Sequence, residues 1–285
     1  MGIVVDGNAL AREIRDEVTA AFQAEASASG VPPRMAILQL ADAAAASQYT
    51  RRLQRTFSEA GATVDLHELP THAGLNEAIA LVEALSNDPE IQGIQIQTPL
   101  PPQIPLATLL EALDPTKDLD GIHPTNAGRL AQGRPTIVPA TPLGGLEILL
   151  RNDVPISGAR AVVVGRSTPV GRPMALLLLQ NDATVTICHT RTTDMGAVVR
   201  EADIVAVAAG RAGLVKADWI RPGAAVIDFG VNVLDGKTVG DVEPAAQERA
   251  SLFTPVPGGT GPVTTAMLLR NALTLYRQAI GRDSG

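Results

Sequence analysis

The run Val162-Val163-Val164-Gly165-Arg166-Ser167-Thr168-Pro169-Val170-Gly171-Arg172-Pro173 is the segment whose residue types most clearly suggest chemistry, the holding of a phosphate. An apolar stretch of strand character leads in and a helical pattern leads out. Gly165 permits a tight turn and Gly171 a close approach of backbone to pyrophosphate. The helix start, with Ser167 before it, offers unpaired amides and the positive end of a dipole. The spacing is not Gly-x-Gly-x-x-Gly, so the pattern gains weight only from heading an alternating strand and helix series. Some 20 residues on, where NAD-binding folds place an acid for the adenosine ribose, the chain reads His189-Thr190-Arg191-Thr192, and the next acid is Asp194. Hydroxyl and guanidinium groups at Thr190 and Arg191, with Arg166 on the first turn, favour a nucleotide with a 2′-phosphate, hence NADP over NAD. The alternative is that both arginines are simply solvated.

Other reactive types are sparse. The one cysteine, Cys188, excludes an internal disulfide; it sits in Thr184-Val185-Thr186-Ile187-Cys188, which reads as a buried strand, so a packed thiol outweighs a nucleophile. His67, His72, His123 and His189 lack metal-ligand spacing, and no metal site is expected. Only Lys117, Lys216 and Lys237 are lysines. A net charge of −7 argues against a nucleic-acid partner, whose phosphates call for a basic surface. No apolar run is long enough to cross a membrane, and the first residues lack the basic, apolar and small-residue sequence of a secretory leader. A soluble, cytoplasmic protein is the expectation.

These residues must be positioned by two successive alternating series. Leu10, Ile14, Val18 and Phe22 mark one face of a helix from Asp6 to about Ala28. A strand at Met35 to Leu40, a helix at about 47–60 with Tyr49, Leu53 and Phe57 on one stripe, and a short strand at Thr63 to Leu66 follow. A helix at 75–86 and a strand at Ile91 to Gln97 complete the first series. A short helix at 106–113 leads into a Pro-, Gly- and Asn-rich stretch from Asp114 to Pro142, read as irregular and as the change of domain. The second series comprises strands at Arg160 to Val164, Thr184 to Cys188, Asp203 to Ala208 and Ala224 to Asp228, with helices at Val170 to Gln180 and near 194–201. A final helix spans about Val263 to Ile280. The expected fold class is α/β with two domains. Residues 1–141 with the C-terminal helix, 263–285, form one, and 142–262 form a Rossmann-like dinucleotide-binding domain.

Five segments in fixed order then resemble the bacterial bifunctional methylenetetrahydrofolate dehydrogenase/cyclohydrolase family over nearly the whole length. They are Ile96-Gln97-Thr98-Pro99-Leu100-Pro101, Pro115-Thr116-Lys117-Asp118-Leu119-Asp120-Gly121, Asn126-Ala127-Gly128-Arg129-Leu130, the Gly165 to Pro173 loop, and Thr254-Pro255-Val256-Pro257-Gly258-Gly259-Thr260-Gly261-Pro262-Val263-Thr264. The resemblance implies a folate-binding domain and an NADP domain flanking a cleft, a homodimer, and oxidation of 5,10-methylenetetrahydrofolate by NADP. Asp120 would accept hydrogen bonds from the pterin edge in a fork geometry. Gln97 at a strand end could donate and accept, and Tyr49 could stack on the pterin or benzoyl ring or be a half-buried helix residue. Pro257, Gly258 and Gly259 would close over nicotinamide and folate, with Thr264 behind them on the cofactor side.

Three positions depart from the family, Leu53 foremost. The family's folate-binding helix carries a lysine four residues after the tyrosine, and that place here is Leu53. Arg51, Arg52 and Arg55 lie near, but a guanidinium stays protonated and cannot act as a base. Ala140 and Leu143 also replace residues that related enzymes tend to carry as cysteine and a basic residue. Hydride transfer needs alignment and no proton acceptor, whereas hydrolysis of the methenyl cation needs water activation, to which a positioned acid-base group contributes about 10²- to 10⁴-fold. The expectation is a dehydrogenase with weak or absent cyclohydrolase. The alternatives are the full bifunctional enzyme yielding 10-formyltetrahydrofolate, an oxidoreductase on another one-carbon carrier, and a non-catalytic folate- or nucleotide-binding relative.

Overall fold

The computed structural model describes residues 2–40 and 44–282. In chain order the elements begin with β1 (Ile3–Val4), α1 (Gly7–Ser29), β2 (Arg34–Leu40), α2 (Ala44–Glu59), β3 (Thr63–Leu69), α3 (Leu75–Asn87) and β4 (Gly93–Ile96). Three helices follow, α4 (Leu106–Ala112), α5 (Pro124–Ala131) and α6 (Ala140–Arg151). Then come β5 (Arg160–Val164), α7 (Gly171–Gln180), β6 (Thr184–Cys188), α8 (Met195–Arg200), β7 (Ile204–Val207) and β8 (Ala225–Asp228). The chain ends with β9 (Asn232–Leu234), β10 (Lys237–Val239), β11 (Leu252–Phe253) and α9 (Thr260–Ala279).

The chain divides into two compact units. One comprises Met1–Arg12, Leu130–Arg134 and Pro139–Met267; the other comprises Glu13–Arg129, Pro135–Val138 and Leu268–Gly285. The first contains a six-stranded parallel sheet in the order β1-β11-β8-β7-β5-β6. Strand order reverses at β5, which pairs with β6 on one side and β7 on the other, the topological switch point beside which α/β folds bind ligands. Its core gathers Val162, Val164, Val205, Val207, Val226 and Phe253, β-branched and aromatic residues suited to a sheet covered on both faces. The second unit holds a parallel sheet in the order β3-β2-β4, packed through Ala36, Leu38, Ile94 and Ile96 against Val82, Leu85 and Leu109 of α3 and α4.

The two-domain α/β class and Rossmann-like sheet agree with the sequence reading, and three details differ. The start of the chain was expected with the folate domain, yet Ile3 and Val4 extend the six-stranded sheet by pairing with Leu252 and Phe253. The stretch 114–142 is not irregular throughout: α5 and the start of α6 lie in it. Both begin at or next to a proline, Pro124 and Pro139, where the missing N–H costs a helix nothing, so prolines that read as loop are helix starts. Finally, β6 is an edge strand: Thr186 and Ile187 are exposed, and only Cys188 is fully buried.

Candidate active site

In the smaller sheet the alternation of a strand puts Gln95 and Gln97 on one face of β4 and its extension. Gln97 Nε2 donates to Gln95 Oε1 at 3.1 Å, and Gln95 Nε2 donates to Asp120 Oδ1 at 2.9 Å. Gln95 and Gln97 are both buried, so each would be costly without these partners. Asp120 reaches this row because the segment before it runs beside β4: Ile94 N donates to Lys117 O at 2.7 Å and Leu119 N to Ile94 O at 3.1 Å. Asp118, fully buried, then fixes the turn by accepting from the backbone N–H of Gly121 and His123 and from Asn126 Nδ2, at 3.0, 2.7 and 2.9 Å. Asp118 is thus committed to the loop, and Asp120 is the carboxylate left to face a ligand.

Tyr49 joins the same group from α2. Gln95 hydrogen-bonds its hydroxyl and the charge of Asp120 acts on it. The helix is held in rotation by a relay in which buried Thr50 Oγ1 donates to buried Gln39 Oε1 at 2.7 Å and Gln39 Nε2 donates to exposed Glu68 Oε1 at 2.8 Å. Burial, and then the charge of Asp120, push the Tyr49 phenol up to about 12, against the hydrogen bond from Gln95 and the charge of Arg52. It is therefore a neutral donor at physiological pH and no proton acceptor. Burial likewise pushes Asp120 up to about 7, with the Gln95 hydrogen bond opposing and the second carboxylate, Asp118, adding to the rise.

Leu53 lies one turn on from Tyr49 and is completely buried. The neighbouring arginines do not take its place: Arg51, Arg52 and Arg55 are exposed, the Arg52 guanidinium stands 5.2 Å from the Tyr49 ring centroid, and Arg55 pairs with Glu59. A stripe of Tyr49, Leu53 and Phe57 therefore runs from the polar group into apolar packing, with Phe57 also buried.

The other unit carries the glycine loop. Gly165, with φ of +127°, follows β5 so closely against the end of β7 that a Cβ would stand 2.2 Å from Ala208 O. A Cβ on Gly171 would stand 2.4 Å from Gly165 O. Gly171 is thus required by the loop folding on itself, a nearer cause than the approach of a pyrophosphate expected from the sequence. Ser167 Oγ accepts from Gly171 N at 3.2 Å and Ser167 O from Arg172 N at 3.0 Å, which orients the start of α7. Beside the loop lies a cavity of about 380 Å³ lined by Gly165, Arg166, Ser167, His189, Thr190, Arg211 and neighbouring apolar residues, with no Asp or Glu in its wall. Two guanidinium groups and two hydroxyls, with no carboxylate opposing them, fit an anionic nucleotide.

Not every expected residue is gathered there. Arg191 is exposed and is not part of the cavity wall; its backbone N–H donates to His189 Nδ1 at 3.1 Å. Thr264 is half-buried on α9, outside the wall, with its hydroxyl donating to Thr260 O at 3.1 Å. Pro257, Gly258 and Gly259 belong to the same unit, where Gly7 N donates to Gly258 O and Gly259 N to Pro255 O. A Cβ on Gly7 would meet Gly259 O at 1.8 Å, so this loop is tightly knit to the start of α1. Sequence reading missed Gln95 and Arg211. Strand alternation from Gln97 signals the first, and the rule that loops after neighbouring strands of a switch point share a ligand signals the second.

Comparison with known proteins decides the family. The model of the tetrahydrofolate dehydrogenase/cyclohydrolase catalytic domain matches residues 5–120, and that of the NAD(P)-binding domain of the same family matches residues 139–280. The chain belongs to the tetrahydrofolate dehydrogenase/cyclohydrolase family. The bifunctional protein FolD of Chloroflexus aurantiacus is 54% identical over 280 residues, covering 98% of both chains. Among solved structures, the bifunctional methylenetetrahydrofolate dehydrogenase/cyclohydrolase FolD of Campylobacter jejuni superposes with a TM-score of 0.94 at 36% identity, covering 98% of this chain and 100% of that one. The Trypanosoma brucei methylenetetrahydrofolate dehydrogenase-cyclohydrolase, complexed with NADP and an inhibitor, superposes with a TM-score of 0.93 at 36% identity, covering 98% of each. The family read from five short motifs is therefore the right one. In family terms the polar group around Asp120 lies at the end of the catalytic-domain match and the glycine loop within the NAD(P)-binding match.

Proposed function

We propose that this member of the family oxidises 5,10-methylenetetrahydrofolate to 5,10-methenyltetrahydrofolate with NADP, and that its cyclohydrolase activity is weak or absent. One observation carries the reading: the row Gln97, Gln95, Asp120 is complete and hydrogen-bonded to Tyr49, while Leu53, at the family's lysine position, is fully buried and apolar. Bound NADP would supply the hydride acceptor. What this chain supplies is alignment. Asp120 accepts from the pterin edge, Gln95 orients Asp120, and Gln97 and the Tyr49 hydroxyl offer further polar contacts. Gly165, Arg166, Ser167 and Thr190 hold the nucleotide, and Gly171 lets their loop fold on itself; Arg191 and Thr264 lie outside the cavity wall. Pro257, Gly258 and Gly259 contribute a firm loop on the nicotinamide side.

Hydrolysis of the methenyl product makes a different demand, because water must lose a proton as it attacks. Tyr49 is held far too basic to be ionised, and the leucine adds no titratable group. Folate oxidation survives such a substitution in a way that hydration does not.

The chain is further proposed to work as a cytoplasmic homodimer. The β9–β10 hairpin exposes Val231, Val233 and Leu234, an apolar patch suited to a second copy, and no helix of the described residues is long and apolar enough to cross a membrane. The decisive experiment follows reduced nicotinamide and methenyl product separately after mixing protein, methylenetetrahydrofolate and NADP or NAD. Accumulating methenyltetrahydrofolate, cleared no faster than in buffer, supports the reading. Rapid clearance makes the enzyme fully bifunctional, and binding of both ligands without reduced nicotinamide makes it a non-catalytic relative.

A further inference from the structure

The geometry points to Arg211 as a second guanidinium ligand of the adenosine 2′-phosphate, and so as a determinant of NADP over NAD. The inference rests on the proposed NADP reading and deepens it. The cavity beside Gly165 is built from the loops after three adjacent strands: Gly165 to Ser167 after β5, His189 and Thr190 after β6, and Ala208, Ala209 and Arg211 after β7. In this fold the pyrophosphate takes the helix start beside the glycine turn and the ribose lies toward the end of the second strand. The third loop is then the one left to face the ribose substituent from the far side. Arg211 is its only cation, and with Arg166 it gives the wall two positive charges and no negative one.

The loop is held for this task. Asp241, fully buried, accepts from three consecutive backbone amides, Ala209, Gly210 and Arg211, at 2.7, 2.8 and 2.7 Å, and from Asn232 Nδ2 at 2.8 Å. Asp241 is itself placed by Asp228, whose carboxylate accepts from the N–H groups of Asp241 and Val242 at 3.1 and 2.9 Å. An anchor of this kind removes the loop's freedom before a ligand arrives, so the arginine loses less entropy on binding. Arg211 itself is exposed, which leaves its fork free to rotate onto a phosphate.

The test is calorimetric titration of the intact protein with adenosine 2′,5′-bisphosphate and with 5′-AMP, for wild type, Arg211→Gln and Arg211→Lys. Because the side chain is exposed, neither variant should unfold, and equal melting temperatures will verify this. In Arg211→Gln the dissociation constant for the bisphosphate should rise about ten-fold, as for loss of one charge-assisted hydrogen bond, with 5′-AMP shifting less than two-fold. Arg211→Lys should recover part of the loss. Equal losses for both nucleotides would mean that Arg211 stacks on adenine and would overturn the assignment, as would an unchanged bisphosphate preference. A wild type that binds the bisphosphate no tighter than 5′-AMP overturns the NADP reading itself.

Discussion

The two proposed ligand sites are built from different materials. Around Gly165 the shape comes from backbone: a positive φ, two glycines whose missing Cβ atoms admit carbonyl oxygens, and an aspartate that gathers three amides. Around Asp120 it comes from side chains: two glutamines in line, a phenol, and a carboxylate carried in by a turn that another carboxylate ties down. Backbone sites forbid substitution because the chain path fails. Side-chain sites admit it and change chemistry while the fold stays: Leu53 is fully buried one turn from Tyr49 without disturbing the Gln97, Gln95 and Asp120 row.

The sharpest way to break this contrast is Gly165→Ala. The new methyl group would have to displace the Ala208 carbonyl, 2.2 Å away, in a backbone conformation that costs a non-glycine residue about 1–2 kcal/mol before any clash. We expect loss of adenosine 2′,5′-bisphosphate binding beyond about 100-fold and a lowered melting temperature. An alanine variant that binds normally would show the loop to be pliable. Leu53→Lys is the converse. If position 53 decides chemistry and not fold, methenyltetrahydrofolate hydrolysis should rise by about 100-fold, at the low end of acid-base contributions. Burying an ammonium where a leucine packed should cost about 2–4 kcal/mol, read from denaturant unfolding. Leu53→Met, close in volume, should cost under about 1.5 kcal/mol and bring no hydrolysis.

The same contrast explains what the sequence made legible. Strands β2 to β8 and most helices follow from periodicity, since each buries one face against one of two cores. The glycine loop was readable because only glycine tolerates its path. Less legible were features set by tertiary pairing. The Ile3–Val4 strand has too few residues for a pattern and exists because it meets Leu252 and Phe253. The helices α5 and α6 hide behind prolines that also mark loops. Gln95 passed as an ordinary strand residue because its role depends on where the Lys117–Leu119 segment runs beside it. Arg191 and Arg211 could not be ranked without knowing which loop closes the cavity.

Protonation offers a third, smaller test. Burial pushes Asp120 up to about 7, and on the proposed reading its anionic form is the one that would accept twice from a pterin edge. As pH falls through 7 the site gains a proton, so KM for methylenetetrahydrofolate should rise, approaching ten-fold per unit below pH 6.5. Stability should move the other way. A carboxylate raised above its ordinary value is better tolerated neutral in the fold, so its stabilising contribution grows as pH drops from 7 toward 4 and is lost on return through 7. Asp228, raised to about 6 by burial, acts in the same sense. A melting temperature that does not fall between pH 7.5 and 6 while KM climbs would separate lost binding from unfolding. Parallel loss of both would assign the pH effect to the fold.

The smallest effect should come from Tyr49→Phe. With the phenol held neutral up to about pH 12, the hydroxyl contributes hydrogen bonds and no proton transfer, so its removal costs about 0.5–1.5 kcal/mol of binding. That corresponds to a two- to ten-fold rise in folate KM with little change in the hydride-transfer rate at saturation. Part of the cost falls on Gln95, which loses one partner and keeps Asp120 and Gln97. A drop in single-turnover rate of 100-fold or more would instead make the phenol a participant in the chemical step. The folate site would then depend on one oxygen as strictly as the nucleotide loop depends on one glycine.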